Sequence, residues 1–326
     1  MAIKLNIIRK SKELSSYHGK SIFHSNELFK VFENTRGYSP VMAVATEKGH
    51  EIGRLLGVIR RSVRFFPPSI IKRCEVYGSG EYADSVKNRE ELFSIMLDRF
   101  TKEVNKTAFL IEFRNIDNSL FGYEAFRRNN FLPINWLRVY NSLHSRTPEE
   151  RLSASRRRQI SKATRNGVHI EIAEKEEDIR FFSLMLKKSY SSKVRKHMPD
   201  IGFFLELSRQ NPEKEMAKIF LVKYKGKIIG GSLCIFSKDR AYLWFSAGLR
   251  KSYAWVYPGV MAVWGAISYA HQAGYDHLEF MDAGLPFKKY GYRDFILRFG
   301  GKQTSTRRWF RFRWNWLNRL LCCIYG

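Results

Sequence analysis

The stretch that decides the fold is Asp276 to Gly301, which reads DHLEFMDAGLPFKKYGYRDFILRFGG. It predicts a short buried strand at residues 277–281, then a loop that contains Asp282 and Gly284. A short helix and a Gly-Gly turn are predicted to follow the loop. Because open α/β sheets place ligands in loops at the carboxyl ends of their strands, this loop is the first candidate for a functional site.

The same pattern occurs once more, earlier in the chain. Residues 109–131 read FLIEFRNIDNSLFGYEAFRRNNF, in which LIEF at 110–113 resembles HLEF at 277–280. Gly122 and Gly291 follow these segments and lie 169 positions apart, about half of the chain. Self-similarity at that distance predicts a duplicated domain.

The composition allows two folded domains and predicts an anionic partner. The chain has 326 residues, of which 44% are hydrophobic and 15% aromatic, so a disordered chain is excluded. The formal net charge is +26. Such an excess favours binding to nucleic acid, anionic lipid or a phosphorylated substrate, although a generally basic proteome would also produce it.

The cysteines and the hydrophobic runs indicate a cytoplasmic protein. Four cysteines are present, with no Cys-x-x-Cys pair and no Cys/His ligand set, so neither a metal site nor a disulfide framework is expected. The first residues, MAIKLNIIRK, lack the apolar core of a signal peptide. No run reaches the roughly 18 uncharged apolar residues expected of a membrane-spanning helix.

Hydrophobic periodicity predicts the same element order in both halves. Each half has a hairpin with a Gly-containing turn, a long apolar helix, a strand, a motif loop and a short helix, which gives mixed, mainly antiparallel α/β sheets flanked by helices. We predict a first domain at residues 1–146 and a second at 147–326. The basic, aromatic C-terminal segment, about residues 304–326, is placed so that it can pack back on the first domain.

A basic helix opens the predicted second domain. Pro148 suits the first turn of a helix, which the pattern continues from Glu149 to Asn166. At about 100° per residue, the basic side chains form one narrow stripe. The stripe consists of Arg151, Arg158, Lys162 and Arg165. A charge run is usually a solvated face, but forked guanidinium groups match phosphates, so we also consider anion binding at Arg157, Arg158 and Lys162.

Two of these segments resemble motifs of the FemABX-like branch of the GNAT superfamily. SRRRQISKA at residues 155–163, before Gly167, is similar to the Arg-rich helix that opens that family's second domain. GYRDF at 291–295, ending in Phe299-Gly300-Gly301, resembles its closing motif, although Leu297 stands where the family usually has lysine.

The resemblance implies a fold and an activity. It implies two tandem GNAT-like domains and transfer of an amino acid from aminoacyl-tRNA to an amine of a peptidoglycan precursor, or a related acyl transfer. Two features depart from the family pattern. The long coiled-coil arm of some tRNA-using members is missing, and the GNAT acyl-CoA loop is degraded, since residues 250–260, RKSYAWVYPGV, retain only Gly259 before the helix.

The helix that starts near Pro258 is a candidate site for the donor's phosphates. Free backbone N–H groups and the positive end of the helix dipole favour anions there. Val256, Tyr257 and Gly259 would present these groups. The alternative is an ordinary entry into a buried helix.

The motif loop carries the candidate catalytic residues. Asp282 would accept the proton of the amine, or would instead cap the loop, as Asp before Gly commonly does. Tyr290 would donate a proton to the leaving group; its counterpart in the first half is Phe121, so aromatic packing also explains it. Lys288 and Arg293 would hold a phosphate or carboxylate, or Arg293 would pair with a neighbouring aspartate.

The C-terminal segment mixes basic and aromatic residues. Residues 298–319 contain seven basic side chains and no acidic one, interleaved with aromatic residues that include Trp309, Phe310, Phe312, Trp314 and Trp316. Such a mixture suits a membrane interface, or RNA through stacking and phosphate contacts. The alternative is a strand and helix packed in a domain core.

From these features we predict an N-acyltransferase that moves an acyl or aminoacyl group onto an amine of a cell-envelope precursor or glycan. The donor would be aminoacyl-tRNA or acyl-CoA, with no tightly bound cofactor. The partners would be a phosphate-bearing substrate, tRNA and the inner-membrane surface. An acyl-CoA-dependent N-acetyltransferase of an amino sugar or small amine is one alternative, and a non-catalytic protein that binds anionic lipid or RNA is another.

Overall fold

The computed structural model describes residues 3–16, 19–61, 72–116, 118–191, 198–211 and 216–325. The chain forms two compact units, which are Met1–Asn135 with Thr306–Gly326, and Trp136–Ser305. The predicted domain boundary after residue 146 comes from the sequence repeat and remains a proposal. The two units named here are defined differently, by contacts within the structure. None of the helices within the described ranges has the length and apolar character needed to cross a bilayer.

The first unit is a mixed sheet flanked by helices. Its strands, in chain order, are β1 (Lys4–Ile8), β2 (Tyr38–Glu47), β3 (His50–Arg61), β4 (Lys72–Tyr77), β5 (Glu81–Tyr82) and β6 (Leu110–Arg114). Its helices are α1 (Asn26–Asn34), α2 (Arg89–Val104) and α3 (Tyr123–Arg128). Strands β4 and β6 are parallel, and the other pairs in this unit are antiparallel.

Helix α2 forms because its ends and its apolar spacing agree. The Asn88 side chain accepts a hydrogen bond from the Glu91 amide and caps the first turn. Leu92, Phe93, Met96, Leu97 and Phe100 recur at helical spacing and are buried against the sheet. One hydrophobic cluster of the first unit lies on this face of its sheet, and buried side chains such as Met42 and Leu56 lie on the opposite face.

The second unit repeats this plan. Its strands are β7 (Leu132–Ser142), most of which belongs to this unit, β8 (His169–Ile172), β9 (Ala217–Tyr224), β10 (Lys227–Ser237), β11 (Arg240–Gly248) and β12 (His277–Phe280). Its helices are α4 (Pro148–Arg151), α5 (Ala154–Arg165), α6 (Glu176–Ser189), α7 (Ile201–Arg209), α8 (Pro258–Gln272) and α9 (Gly291–Leu297). The strand order is β7-β12-β11-β10-β9-β8, with only β11 and β12 parallel. The predicted mixed, mainly antiparallel α/β architecture is therefore confirmed.

Each copy contributes its last strand to the other unit. Strand β13 (Lys302–Phe312) follows the second motif helix, yet its residues 308–312 pair with β6 of the first unit. Strand β7 follows the first motif helix, yet its residues 139–142 pair with β12 of the second unit. The last helix, α10 (Asn315–Tyr325), also belongs to the first unit.

Helix α8 packs against the sheet of the second unit through glycine. A Cβ atom on Gly248 would lie 2.4 Å from the backbone nitrogen of Gly259 and 2.8 Å from its Cα. A Cβ atom on Gly230 would similarly lie 2.8 Å from the carbonyl oxygen of Pro258. The end of β11 and the start of α8 can therefore approach only because these strand positions lack side chains.

We expect Gly248→Ala to destabilise the second unit by about 1–3 kcal/mol, because the new methyl group meets helix backbone and overpacks the contact. The measurement is urea denaturation followed by circular dichroism. Gly259→Ala is the matched control, because a Cβ there meets no atom within 4 Å. Its stability should equal that of the wild type, and equal stability of the Gly248 variant would contradict the packing argument.

Candidate functional site

Strands β11 and β12 separate after four residue pairs. Their register runs from Arg240 opposite His277 to Leu243 opposite Phe280, and the Met281 amide then donates to the Leu243 carbonyl oxygen at 3.2 Å. Strand β11 continues to Gly248, whereas β12 has ended. Among the described residues, positions 244–248 thus have no strand neighbour on the β12 side. We call this backbone segment the open edge.

Two tyrosines reach Ser246 on the open edge. The Tyr190 hydroxyl donates to the Ser246 carbonyl oxygen at 2.9 Å, and Tyr292 also hydrogen-bonds to Ser246. Burial raises the pKa of both phenols, so both stay neutral near pH 7. Sequence analysis missed this cluster, since Tyr190 precedes Ser246 by 56 positions and no local pattern joins them.

Asp282 holds the motif loop beside this edge. Its Oδ1 accepts hydrogen bonds from the Trp136 indole at 2.8 Å and from the Gly284 amide at 3.0 Å. Gly284 has φ +77°, a conformation that favours glycine. The Tyr290 ring packs against Gly284, 2.9 Å from where a Cβ would lie. The structure therefore contains the capping contact, and it fixes the position of the carboxylate that would act as a base.

Arg293 also shapes the loop. Its guanidinium donates to the carbonyl oxygens of Ala283 at 3.2 Å, Leu285 at 2.9 Å and Lys288 at 2.9 Å. These three bonds bind backbone rather than the neighbouring aspartates considered above. The Lys288 side chain is exposed. A role of Arg293 in anion binding would use the part of its fork that the loop leaves accessible.

The start of α8 uses two of the three amides predicted to bind anions. The Val256 amide donates to the Tyr253 carbonyl oxygen at 3.2 Å, and its side chain is fully buried. The Tyr257 amide donates to the Ala254 carbonyl oxygen at 3.4 Å. Gly259 differs from both, because the space beside its Cα is open.

The predicted helix at 149–166 is two helices, α4 and α5. The break occurs because the Ser153 side chain accepts from the Arg156 amide and caps a new helix. The predicted stripe is therefore wrong at Arg151, which instead donates to the His144 carbonyl oxygen and the Ser145 hydroxyl, both at 3.0 Å. Arg158, Lys162 and Arg165 remain exposed on α5.

Arg156 points inward, unlike its two neighbours. Only 3% of the residue is exposed, and its guanidinium lies 4.6 Å and 4.4 Å from the ring centres of Phe295 and Phe299. It also donates to the Phe295 carbonyl oxygen at 2.9 Å. Arg157 and Arg158 are exposed, and Arg157 contacts the Glu149 carbonyl oxygen at 3.3 Å. The first arginine of the motif thus anchors α9 to α5.

The structure assembles the predicted residues in two groups. Lys162 lies 6.0 Å from the centre of the Tyr257 ring, so the basic face of α5 meets the start of α8. Asp282, Tyr290 and Arg293 form the second group, in the motif loop and helix. The open edge connects them, because Ser246 contacts Tyr292 of the motif helix while Gly248, two residues on, contacts Gly259.

Comparison with known proteins identifies the fold. Residues 151–289 match the acetyltransferase (GNAT) domain family. The chain is similar to FemX, with a TM-score of 0.65, 14% identity and coverage of 95% of this chain and 96% of FemX. It is also similar to a tandem GNAT protein from the clavulanic acid biosynthesis pathway, with a TM-score of 0.57, 10% identity and coverage of 95% and 99%.

A third similar structure is the C-terminal domain of a putative lysylphosphatidylglycerol synthetase from Agrobacterium fabrum, with a TM-score of 0.55, 13% identity and coverage of 92% and 91%. A comparison with curated proteins finds no match. Residues 151–289 are therefore similar to a GNAT domain, and the fold of the chain is like those of FemX and of the tandem GNAT protein. The structural similarities confirm the predicted tandem GNAT-like fold, and the family match confirms the prediction of a GNAT-like acyltransferase.

We expect Arg156→Met to destabilise the second unit by about 2–3 kcal/mol, because it removes the stacking on two rings and the bond to a carbonyl oxygen. Arg157→Met is the matched control, since this exposed neighbour should change stability by less than about 0.5 kcal/mol. Thermal unfolding measures both variants. A larger loss for the Arg157 variant would show that the assignment of the two arginines is wrong.

Proposed function

We propose that the second unit transfers an acyl or aminoacyl group from an activated donor to an amine of a cell-envelope precursor or glycan. The observation that carries this proposal is the open edge of β11, which lies between the start of α8 and the motif loop. An extended donor chain can pair with an unpaired strand edge through main-chain hydrogen bonds. The donor's reactive carbonyl would then lie beside the motif loop.

The donor's phosphates would lie at the start of α8. The helix dipole and the amide of Gly259 favour an anion there, and Lys162 and Arg158 add positive charge from α5. Arg157 faces a different direction on α5 and would contact a more distant part of the donor. Val256 and Tyr257 support this site through the turn that they form rather than through free amides.

The chemistry requires one proton acceptor and one proton donor. The neutral amine attacks the donor carbonyl, a C–N bond forms, and the C–S bond of a thioester or the C–O bond of an aminoacyl ester breaks. Asp282 would take the proton released by the amine, and Tyr290 would give a proton to the leaving sulfur or oxygen. Solvent restores both groups to their starting state. Trp136 and the Gly284 amide keep the carboxylate oriented during transfer.

The first copy lacks both reactive groups. Glu112 and Glu279 occupy the same place in β6 and β12, and three positions later the copies have Asn115 and Asp282. Tyr290 corresponds to Phe121. At these two aligned positions the first copy has neither a carboxylate nor a phenol hydroxyl, which supports placing the reaction in the second unit.

The GNAT-like fold supports the proposed donor class, and the similar structures support the proposed acceptor class. Acyl-CoA is the donor that GNAT domains commonly use. Aminoacyl-tRNA is the alternative donor, and the resemblance to FemABX-like proteins supports it. Two similar structures support a cell-envelope acceptor. One is FemX, and the other is the putative lysylphosphatidylglycerol synthetase from Agrobacterium fabrum, whose name refers to a lipid that carries lysine.

Helix α10 supports a second proposal, that the protein binds an anionic membrane surface from the cytoplasmic side. Trp316, Leu320 and Ile324 recur every four residues and are 64%, 50% and 59% exposed. Arg313 and Arg319 flank this stripe. Trp309, by contrast, is completely buried in the first unit, stacked 4.7 Å from Phe126. The interfacial surface is thus the helix rather than the strand before it.

The activity test incubates the full chain with labelled acetyl-CoA or aminoacyl-tRNA and a panel of amino sugars and amine-bearing envelope precursors, with amide products identified by mass spectrometry. We expect Asp282→Asn to lower turnover by about 10²-fold or more while thermal stability is kept, since the amide still accepts from Trp136 and Gly284. Asp282→Ala should lose stability as well.

Wild-type turnover in the Asp282→Asn variant would reduce Asp282 to a loop cap. Absence of product with both donors would contradict the transferase proposal itself. Binding of RNA or lipid without turnover would then favour the non-catalytic alternative.

The membrane proposal predicts that the protein co-sediments with vesicles of phosphatidylglycerol and phosphatidylethanolamine, and less with uncharged vesicles. Trp316→Ser with Leu320→Ser should weaken binding by about 10-fold or more, because buried apolar area supplies the attraction. Phe181→Ser with Leu184→Ser is the matched control on α6, where these residues are 42% and 54% exposed. Equal binding by both double variants would exclude α10 as the contact surface.

A further inference from the structure

An arginine cluster lies on one face of the first unit's sheet, outside the site described above. Its members come from four adjacent strands, β3, β4, β6 and β13. The cluster consists of Arg60, Arg73, Arg114 and Arg308, together with the carboxylates of Glu75 and Glu112. Strand alternation places all six on the face opposite the hydrophobic cluster that packs against α2.

Glu112 is fully buried and accepts from three of these arginines. Arg114 Nε and Arg308 Nη1 each donate to its Oε1 at 3.0 Å, and Arg73 pairs with its Oε2. Glu75 is nearly as buried and accepts from Arg60 at 2.5 Å and from the Tyr77 hydroxyl at 3.1 Å. Both carboxylates are therefore surrounded by donors.

Positive charge exceeds negative charge within this cluster, and Arg73 shows the effect. Burial lowers the pKa of Arg73 to about 10, against the pull of Glu75, and repulsion by Arg114, Arg60 and Arg308 adds to the decrease. Arg73 Nε lies 3.6 Å from Glu75 Oε1, which is an ion pair but too long for a hydrogen bond, and the described residues supply no closer acceptor. An anion that accepts from this buried donor would therefore be stabilised.

The second unit carries a smaller excess, of two arginines over one glutamate. There Glu279 corresponds to Glu112, and it accepts from Arg138 and Arg240, which correspond to Arg308 and Arg73. This pair of arginines around one glutamate is common to both copies.

The remaining charges are peculiar to the first unit. Register places Ser237, Tyr242 and Met281 of the second unit where the first has Arg60, Glu75 and Arg114. Arg60 and Arg114 are therefore not needed for the arginine–glutamate arrangement that both copies share.

We propose that the arginine cluster of the first unit is a binding site for a phosphate group, such as the terminal phosphate of a diphosphate or of a lipid headgroup. Two planar guanidinium forks match phosphate geometry, and a doubly charged anion balances the excess of four arginines over two glutamates. The arginines are reachable, because the side chains of Arg60, Arg73 and Arg114 keep 18%, 24% and 17% of their surface exposed. This proposal does not depend on acyl transfer in the second unit.

The test is isothermal titration of the full chain with inorganic pyrophosphate at low ionic strength. It is done in an Arg158→Met/Lys162→Met background, so that the donor site proposed on α5 and α8 does not contribute. Arg114→Met and, separately, Arg60→Met should weaken pyrophosphate binding by about 10-fold or more, because each removes a charged hydrogen-bonding fork. Glu75→Gln should strengthen binding, since it removes a competing carboxylate.

Arg99→Met is the matched control, because it removes the same charge from an exposed position on α2, on the other face of the sheet, and should leave affinity unchanged. Circular dichroism verifies that each variant is folded. If Arg114→Met does not fold, the affinity of the Arg60→Met variant, altered at the edge of the cluster, tests the proposal instead. A parallel titration with dihexanoylphosphatidic acid presents the same group on a lipid.

Binding of either compound through the cluster supports the proposal and identifies the source of the phosphate. The proposal is overturned if neither compound binds, or if the Arg60 and Arg114 variants bind as tightly as the Arg99 control. If the Arg158→Met/Lys162→Met variant loses acyl transfer but still binds pyrophosphate, the arginine cluster and the transferase site are distinct sites.

Discussion

The central constraint in this structure is a difference in strand length. Strand β12 ends at Phe280 after four pairs with β11, while β11 continues for five residues more. Backbone groups left without a strand neighbour need other partners, and the Ser246 carbonyl oxygen obtains one from Tyr190, while Tyr292 bonds to the Ser246 side chain. The close approach of Gly248 to Gly259 brings the start of a helix to the same end of β11. The candidate site is thus the consequence of a short strand and a glycine contact.

The two copies use a shared ionic arrangement for different ends. In each, a glutamate in the central parallel strand is neutralised by arginines from the strands on either side. This arrangement compensates a carboxylate that would otherwise be costly to bury. The first copy adds charge around it but has Asn115 and Phe121 at its motif loop, whereas the second adds no charge and has Asp282 and Tyr290. Separation of anion binding from chemistry is the simplest account of that divergence.

Much of the fold was predictable because its signals are local or periodic. The duplicated strand-loop-helix segments, the apolar spacing of α2 and the Asp-Gly turn after β12 all depend on residues a few positions apart. The basic helix was predicted only in part. One cap, Ser153, restarts the helix and removes Arg151 from the stripe, and the neighbouring Arg156 and Arg157 then face opposite environments. A helical projection predicts which side chains share a face only if the first residue of the helix is known. The sequence pattern did not reveal that α5 begins after Ser153.

By itself, the sequence determined the repeat, the order of its elements and the identity of the loop that carries Asp282. The tertiary structure alone decided which amides at Val256 and Tyr257 are already used, which arginine is buried, and that Tyr190 and Trp136 reach the site. The physical reason is distance along the chain. A cap or turn depends on neighbours, while Tyr190 and Ser246 are 56 positions apart and Trp136 and Asp282 are 146 apart. Such pairs meet only when the folded second unit brings distant segments of the chain together.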